Sequence, residues 1–497
     1  MTGAGSVWSA RAAAVEALTT AELAPIVDLV AHPDEGEAVV VANAAGAARL
    51  TPGGHEVLHG RDPVANTDPL AFLPYEVEVS GAPPANEFNA YPDPYRRLAS
   101  FFADPGRSPD LVVVHTPAHY FPDQGGHLGE HGSLDVVQSR APFLLSGAGV
   151  QPRGRLHDWS RVVDVTPTLL HALGVPDGAH RHAAGAPFDG RAREDLVAGG
   201  ARWTIGLLWD GAHCQDLLAL AADGELPGVA ALLERGLALE GGAVAEFPSV
   251  TLCNHTSALT GVGPGRHGIL GNVFVERDSR RTEVPNDATT WHRSAQWLRP
   301  GVATVFEALR AARPEATSVC VNEAIDRGAD VSTMQLVRAG GGADGAAGLD
   351  AALPAAEASP FVGCRAHLGD DYYRWCTRVD DAGLAQVLQA WPDAASAPAL
   401  TWWSAVVTDA GHHGGGPRSA MARDSLRDAD RRLQMLLDHL QRLGVLDDVT
   451  FLLTADHGFE AADPQVRGSW RPALEEALDP AGVAWQDAGP GFVYLWP

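Results

Sequence analysis

The chain has 497 residues, enough for two to four domains or for one large α/β core with an elaborated cap. Its 45% hydrophobic and 20% charged content is ordinary for a globular protein, and no apolar run approaches the roughly 18 residues that span a bilayer, so no membrane partner is expected. The formal charge is −26 and all 36 basic residues are arginine. That balance argues against a nucleic-acid scaffold and leaves no Walker-type lysine to hold a phosphate, so arginine or metal must do that work.

In chain order, the amino terminus has neither a basic start nor an apolar signal core, which predicts a cytoplasmic protein. Residues 11–31 carry apolar positions at helical spacing, and β-like runs follow at 38–42 and 47–50. Residues 81–94, rich in proline and asparagine, read as a loop, and 25–110 as a small α+β cap. Leu111–Val114 is an apolar run of the kind found in buried parallel strands, and it ends in a loop with several histidines and glycines. Ala141–Ser146 reads as a further strand, and Asp164–Leu170 as the start of a helix with proline in its first turn. Residues 183–203 form a glycine- and alanine-rich linker.

Beyond the linker, three apolar strands each end in an aspartate: 204–209 before Asp210, 405–407 before Asp409 and 449–454 before Asp456. The carboxyl edge is where open α/β sheets bind ligands. The glycine run at 339–345 follows no strand and reads as a flexible loop. The five cysteines are odd in number and form no C-x-x-C pair, so reduced, mostly buried thiols are expected.

Two clusters, Asp409-Ala-Gly-His412-His413 and Asp456-His457-Gly458, resemble most of a site for two metal ions, with no histidine after them. Segment 247–272 is rich in hydroxyl, histidine, glycine and asparagine residues. Thr251 there reads either as an N-cap threonine or as a hydroxyl at a helix start, where backbone N–H groups favour an anion.

Segment 247–272 resembles the nucleophile motif of the nucleotide pyrophosphatase/phosphodiesterase family of the alkaline phosphatase superfamily. Thr251, Asn254-His255, Thr260-Gly261, Pro264, His267-Gly268-Ile269 and Asn272 follow the family's order and spacing. Asp210-Gly211, Asp409…His413…Gly416-Pro417 and Asp456-His457-Gly458 are similar to its other blocks. The resemblance selects His413 over His412. The family's remaining histidine lies in a Gly-x-His-Gly motif downstream of Asp-His-Gly, whereas here Gly129-Glu-His131-Gly132 stands far upstream. Together with the strand and helix after it, this segment looks like the family's carboxyl-terminal part moved to the front, a circular permutation that need not change the fold. His131 is then the missing ligand, with His127 its nearest rival and His115 and His119 behind.

The resemblance implies a three-layer α/β/α sandwich with a mostly parallel central sheet, circularly permuted, plus the cap. Residues 1–24 and 111–182 would form the family's carboxyl-terminal part. Residues 204–497 would form its amino-terminal part, with an insertion near 280–395. One divalent ion would be held by Asp210, Thr251, Asp456 and His457, the other by Asp409, His413 and His131. Zn²⁺ suits these donors, with Mn²⁺ the alternative. Thr251 would attack phosphorus and form a phosphothreonine, with Asn272 stabilising a nonbridging oxygen. The substrate would be a small-molecule phosphate ester, nucleotides or related compounds, cleaved at a phosphodiester or pyrophosphate bond. A phosphomonoesterase or phosphonate hydrolase on the same scaffold, or a catalytically weak binding protein, is the alternative. A sulfatase is disfavoured because Cys253 lies outside a Cys-x-Pro-x-Arg context. The sequence leaves the oligomeric state open.

Overall fold

The computed structural model describes residues 3–71, 89–176, 182, 186–339, 353–489 and 491–496. Most of the proline-rich loop at 81–94, the start of the linker at 183–185 and the glycine run from 340 onward lie outside the described residues.

Two large sheets organise the chain. The central sheet has eight strands in the order 331–332, 318–321, 400–405, 203–209, 449–454, 143–147, 236–239, 154–156. Its first five strands run parallel, and Phe143–Gly147 is antiparallel to both of its neighbours. The middle strands, Trp203–Trp209, Leu400–Ala405 and Val449–Thr454, are buried along their whole length, as continuous apolar runs in a sheet covered on both faces should be. Neighbouring tryptophans mark the two faces. The helix residue Leu169 and the Trp402 ring both crowd Gly206 from one side, whereas Trp403 reaches Gly383 of helix Asp371–Ala390 on the other. Helices therefore cover both faces, and the α/β/α layering holds.

The second sheet has seven strands, all antiparallel, in the order 484–488, 492–496, 111–115, 27–33, 39–43, 46–51, 54–60. Leu111–His115 is thus a strand, but it pairs antiparallel with Val27–Pro33 and Phe492–Trp496 rather than lying in the parallel sheet. Its first four residues, Leu111–Val114, are apolar and buried because both faces are covered. Leu111 and Val113 pack with Ala10, Ala14 and Leu474, while Val112 and Val114 face the main core. The helix expected over 11–31 is Gly3–Leu18 instead, and Val27–Pro33 is a strand. Pro25 and the β-branched residues Ile26, Val27 and Val30 favour that switch.

The strand expected at 405–407 lies earlier, at Leu400–Ala405, and helix Val407–Gly415 begins where the strand was expected to end. Buried Asp380 causes the turn: its two carboxylate oxygens accept from Val406 N at 2.9 Å and Val407 N at 3.0 Å, satisfying two donors that a helix start leaves free. Residues 280–395 are partly integral to the core, since Ser318–Val321 pairs with the central strand Leu400–Ala405.

Candidate metal and phosphate site

Asp210, Asp409 and Asp456 leave the carboxyl edges of three adjacent parallel strands, which brings them to one point from positions far apart in sequence. Gly211 makes that approach close: its φ is 61°, and a Cβ there would lie 2.2 Å from the Phe459 ring and 3.2 Å from Asp409 Oδ1. Asp456 Oδ1 accepts from Gly211 N at 2.9 Å, and Thr408 Oγ1 donates to the Asp210 carbonyl at 2.6 Å.

Three histidines join them. His457 Nε2 is 3.1 Å from Asp456 Oδ2 and 3.8 Å from Asp210 Oδ1, and His413 Nε2 is 3.4 Å from Asp409 Oδ1. His131 Nε2 lies 3.2 Å from His413 Nε2, and its ring stacks on His457 with centroids 3.7 Å apart. Asp409, His413 and His131 form one group able to hold a metal, and Asp210, Asp409 and His457 form another.

His131 is delivered by contacts to three other blocks of the site. Its Nδ1 donates to the Ser249 carbonyl at 3.0 Å, and Gly132 N donates to Ser249 Oγ at 3.1 Å, two residues before Thr251. The Gly129 carbonyl accepts from His413 Nδ1 at 2.9 Å, and Gly129–Glu130 pairs with Glu460–Ala461, just beyond His457. Of the rivals, His127 lies beside His413, ring centroids 4.2 Å apart, and forms a separate group with Glu130 and His413, while His115 and His119 stack on each other at 4.8 Å. His412 donates from Nδ1 to the Thr408 carbonyl at 2.7 Å and belongs to no such group among the described residues.

Thr251 opens helix Thr251–Thr260 and lines a small cavity with Asp210, His255, Asn286, Trp291 and Met334. Asn272 Oδ1 accepts from Leu252 N at 3.0 Å, which leaves its NH₂ end as the free donor beside the helix start.

The electrostatics are those of a cation site. Burial and the neighbouring Asp456 and Asp409 carboxylates hold the Asp210 carboxyl well above the usual range, and burial likewise raises Asp456. Burial lowers His413 and His457 to about 3 and His131 well below the usual imidazole value, so each presents a neutral ring with a lone pair. Burial works against charge on His255, yet Glu323, Asp210 and Asp456 outweigh it and hold its pKa well above normal. Asp210 Oδ1, His255 Nε2, Asp409 Oδ1, Asp456 Oδ2 and His457 Nε2 are all buried without a hydrogen-bond partner. Orphaned atoms of this kind are costly unless a cation satisfies them, so the donor set fits divalent metal.

The family model described as type I phosphodiesterase / nucleotide pyrophosphatase matches residues 204–497, more than half of the chain. The chain belongs to that family. Among solved structures, it is similar to murine ectonucleotide pyrophosphatase/phosphodiesterase 5, with 16% identity, 59% of this chain and 65% of that one covered, and a TM-score of 0.40. It is also similar to phosphonoacetate hydrolase from Sinorhizobium meliloti 1021, with 22% identity, 55% of this chain and 59% of that one covered, and a TM-score of 0.34. A putative extracellular sulfatase Sulf-1 homolog of Caenorhabditis elegans is 34% identical over 89 residues, 17% of this chain and 12% of that protein. The chain spans less than two thirds of each of these relatives. Among the described residues no helix is long and apolar enough to cross a membrane.

Sequence reasoning quoted His255 within a motif but gave it no role, and it missed Glu323 and Tyr372. Tyr372 OH donates to Asp409 Oδ2 at 2.8 Å, and Glu323 Oε2 lies 2.8 Å from His255 Nδ1. Both come from 280–395, a region without a recognisable motif, so no local signal marked them.

Proposed function

We propose that the chain is a two-metal phosphoester hydrolase that cleaves phosphodiester or pyrophosphate bonds of nucleotides or related small molecules, with Thr251 as nucleophile. Asp210, Thr251, Asp456 and His457 would hold one ion, and Asp409, His413 and His131 the other, most suitably Zn²⁺. When bound, the ions supply Lewis acidity that favours the ionised Thr251 hydroxyl, the leaving oxygen and the hydrolytic water.

The protein's own groups do the rest. Thr251 Oγ1 attacks phosphorus, the P–O bond to the leaving group breaks, and a phosphothreonine forms. Water then cleaves that ester, releasing the phosphoryl product and restoring the hydroxyl. The Asn272 NH₂ end and the Thr251 backbone N–H would donate to a nonbridging oxygen as its charge grows, aided by the start of the helix. Trp291, Met334 and Asn286 wall the cavity over Thr251 and would limit water around the reacting group.

The observation that carries this reading is the convergence of three aspartates and three histidines on one sheet edge beside Thr251, with five unpartnered atoms among the buried polar groups there. The position of His131 against Asp409 and His413 also supports a permuted chain order, in which 1–24 and 111–182 follow 204–497 in the family's frame and 183–203 joins the two parts. Packing of helix Gly3–Leu18 against helix Arg471–Leu478 and strand Phe492–Trp496, through Ala10, Ala14, Leu474 and Leu495, favours the same order.

Purified protein loaded with Zn²⁺ should hydrolyse an activated phosphodiester, and Thr251→Ala should abolish turnover while retaining the fold. Robust turnover by Thr251→Ala would remove Thr251 as nucleophile. A panel of diesters, monoesters and phosphonates then ranks the substrate classes.

A further inference from the structure

His255 is four residues after Thr251 on the same helix, so both side chains face the Asp210 side. His255 is 5% exposed as a residue, and its Nδ1 lies 2.8 Å from Glu323 Oε2. Glu323 is fully buried and firmly held: Oε2 accepts from Trp402 Nε1 at 3.1 Å and Ser404 Oγ at 2.9 Å, and Oε1 accepts from Ile325 N at 3.1 Å. An acceptor fixed in this way keeps a proton on Nδ1, so that Nε2 is the atom that would give up its proton and offer a lone pair to a divalent ion beside Asp210 and Asp456.

That Nε2 has no hydrogen-bond partner. It lies 3.6 Å from Asp210 Oδ2 and 3.6 Å from Asp456 Oδ2. Both separations are long for a charge-assisted N–H···O bond, which closes to about 2.7–2.9 Å. They fall within the roughly 2.9–3.6 Å expected between neighbouring ligands of one four- or five-coordinate ion bonded at about 2.0–2.1 Å. Asp210, His255 and Asp456 accordingly form a buried group able to hold a metal. The pattern repeats that of His131, His413 and His457, whose Nδ1 atoms are bonded to the carbonyls of Ser249, Gly129 and Gly458. Only His255 is backed by a carboxylate, the partner that most increases the basicity of a ligating imidazole.

We infer that His255, oriented by Glu323, is a further protein donor to the ion held by Asp210, Asp456 and His457, a role the family resemblance does not supply. The inference rests on the two-ion reading of the site. Glu323 is a positioning residue: it acts through His255 and touches neither ion nor substrate. Trp402 and Ser404 hold Glu323 in turn, so the central sheet itself sets the geometry of the donor.

The test is Zn²⁺ binding to apo protein by chelator competition, with Co²⁺ absorption as a second readout, on wild type, His255→Ala and Glu323→Gln. Wild type should bind two ions. His255→Ala should weaken one of them by about a hundredfold or more and change the Co²⁺ spectrum of that site, leaving the Asp409 ion in place as a check that the fold persists. Glu323→Gln should weaken the same ion by about tenfold, because the amide is a poorer acceptor for Nδ1–H. Two ions bound with unchanged affinity in His255→Ala would overturn the inference alone. Tighter binding in that variant would overturn it in favour of a histidinium that repels the ion. A wild-type protein that binds no ion would overturn the two-ion reading as well.

Discussion

His131→Ala tests both the composition of the second ion site and the permuted order of the chain. The substitution removes one of three protein donors in the Asp409, His413 and His131 group and leaves His413 Nε2 without the neighbour now 3.2 Å away. Loss of an outer partner to a metal ligand costs about 10- to 100-fold in affinity, or about 1.4–2.7 kcal/mol, and loss of the ligand itself should exceed the upper figure. The ring also stacks on His457 at 3.7 Å, so the neighbouring site should weaken slightly as well. Equilibrium dialysis with elemental analysis should show bound Zn²⁺ falling from two ions per chain to one. His127→Ala serves as the matched control and should keep both ions, because the Asp409, His413 and His131 group is complete without it. Two tightly bound ions in His131→Ala would refute the assignment, and loss of an ion in His127→Ala instead would transfer it to the rival.

Chelation should destabilise the protein, since an ion present at 100 times its Kd adds about 2.7 kcal/mol to the folded state; an unchanged melting temperature after EDTA dialysis would count against metal in this cluster. Asp380→Ala should cost about 1–3 kcal/mol in urea unfolding, because it removes a buried acceptor from Val406 N and Val407 N, and it should also weaken the ion at Asp409; wild-type stability would show that the helix start needs no such acceptor. Asp28 is fully buried and hydrogen-bonded to Tyr91 OH, and burial raises its carboxyl to about 8. Between pH 4 and 8 the folded chain therefore keeps a proton that the unfolded chain releases, and stability falls by about 1.4 kcal/mol per pH unit as pH rises through that window. Asp28→Asn needs no proton and should flatten that slope, with the largest gain over wild type near pH 8; parallel curves for the two proteins would refute the assignment.

What the sequence revealed and what it hid follow from the range of the interactions. Asp210 and Asp456 were legible because a continuous apolar strand followed by an acid is a local pattern, and parallel pairing then aligns the two ends, whereas Asp409 sits in the first turn of helix Val407–Gly415. The helix at Thr251 was legible for the same reason. Leu111–His115 was misread because an apolar run reports that both faces are covered and says nothing of strand direction. Here helices Gly3–Leu18 and Arg471–Leu478 cover one face of an antiparallel sheet. The helix start at Val407 depends on Asp380, 27 residues earlier, and an apolar Val-Val pair alone reads as strand. The His255–Glu323 contact was beyond reach in principle. The two residues are 68 positions apart, and they meet only because Ser318–Val321 pairs with Leu400–Ala405, which brings Glu323 to Trp402 and Ser404 under the nucleophile helix. His131 lies between these cases: its Gly-x-His-Gly setting could be seen, but its partner is 282 residues away, and only a missing ligand elsewhere gave a reason to look for it. A metal site distributes its donors over the whole chain because the ion, rather than any segment, is the common partner. Motif reading therefore finds those donors that sit at strand ends and misses those held in place by tertiary pairing.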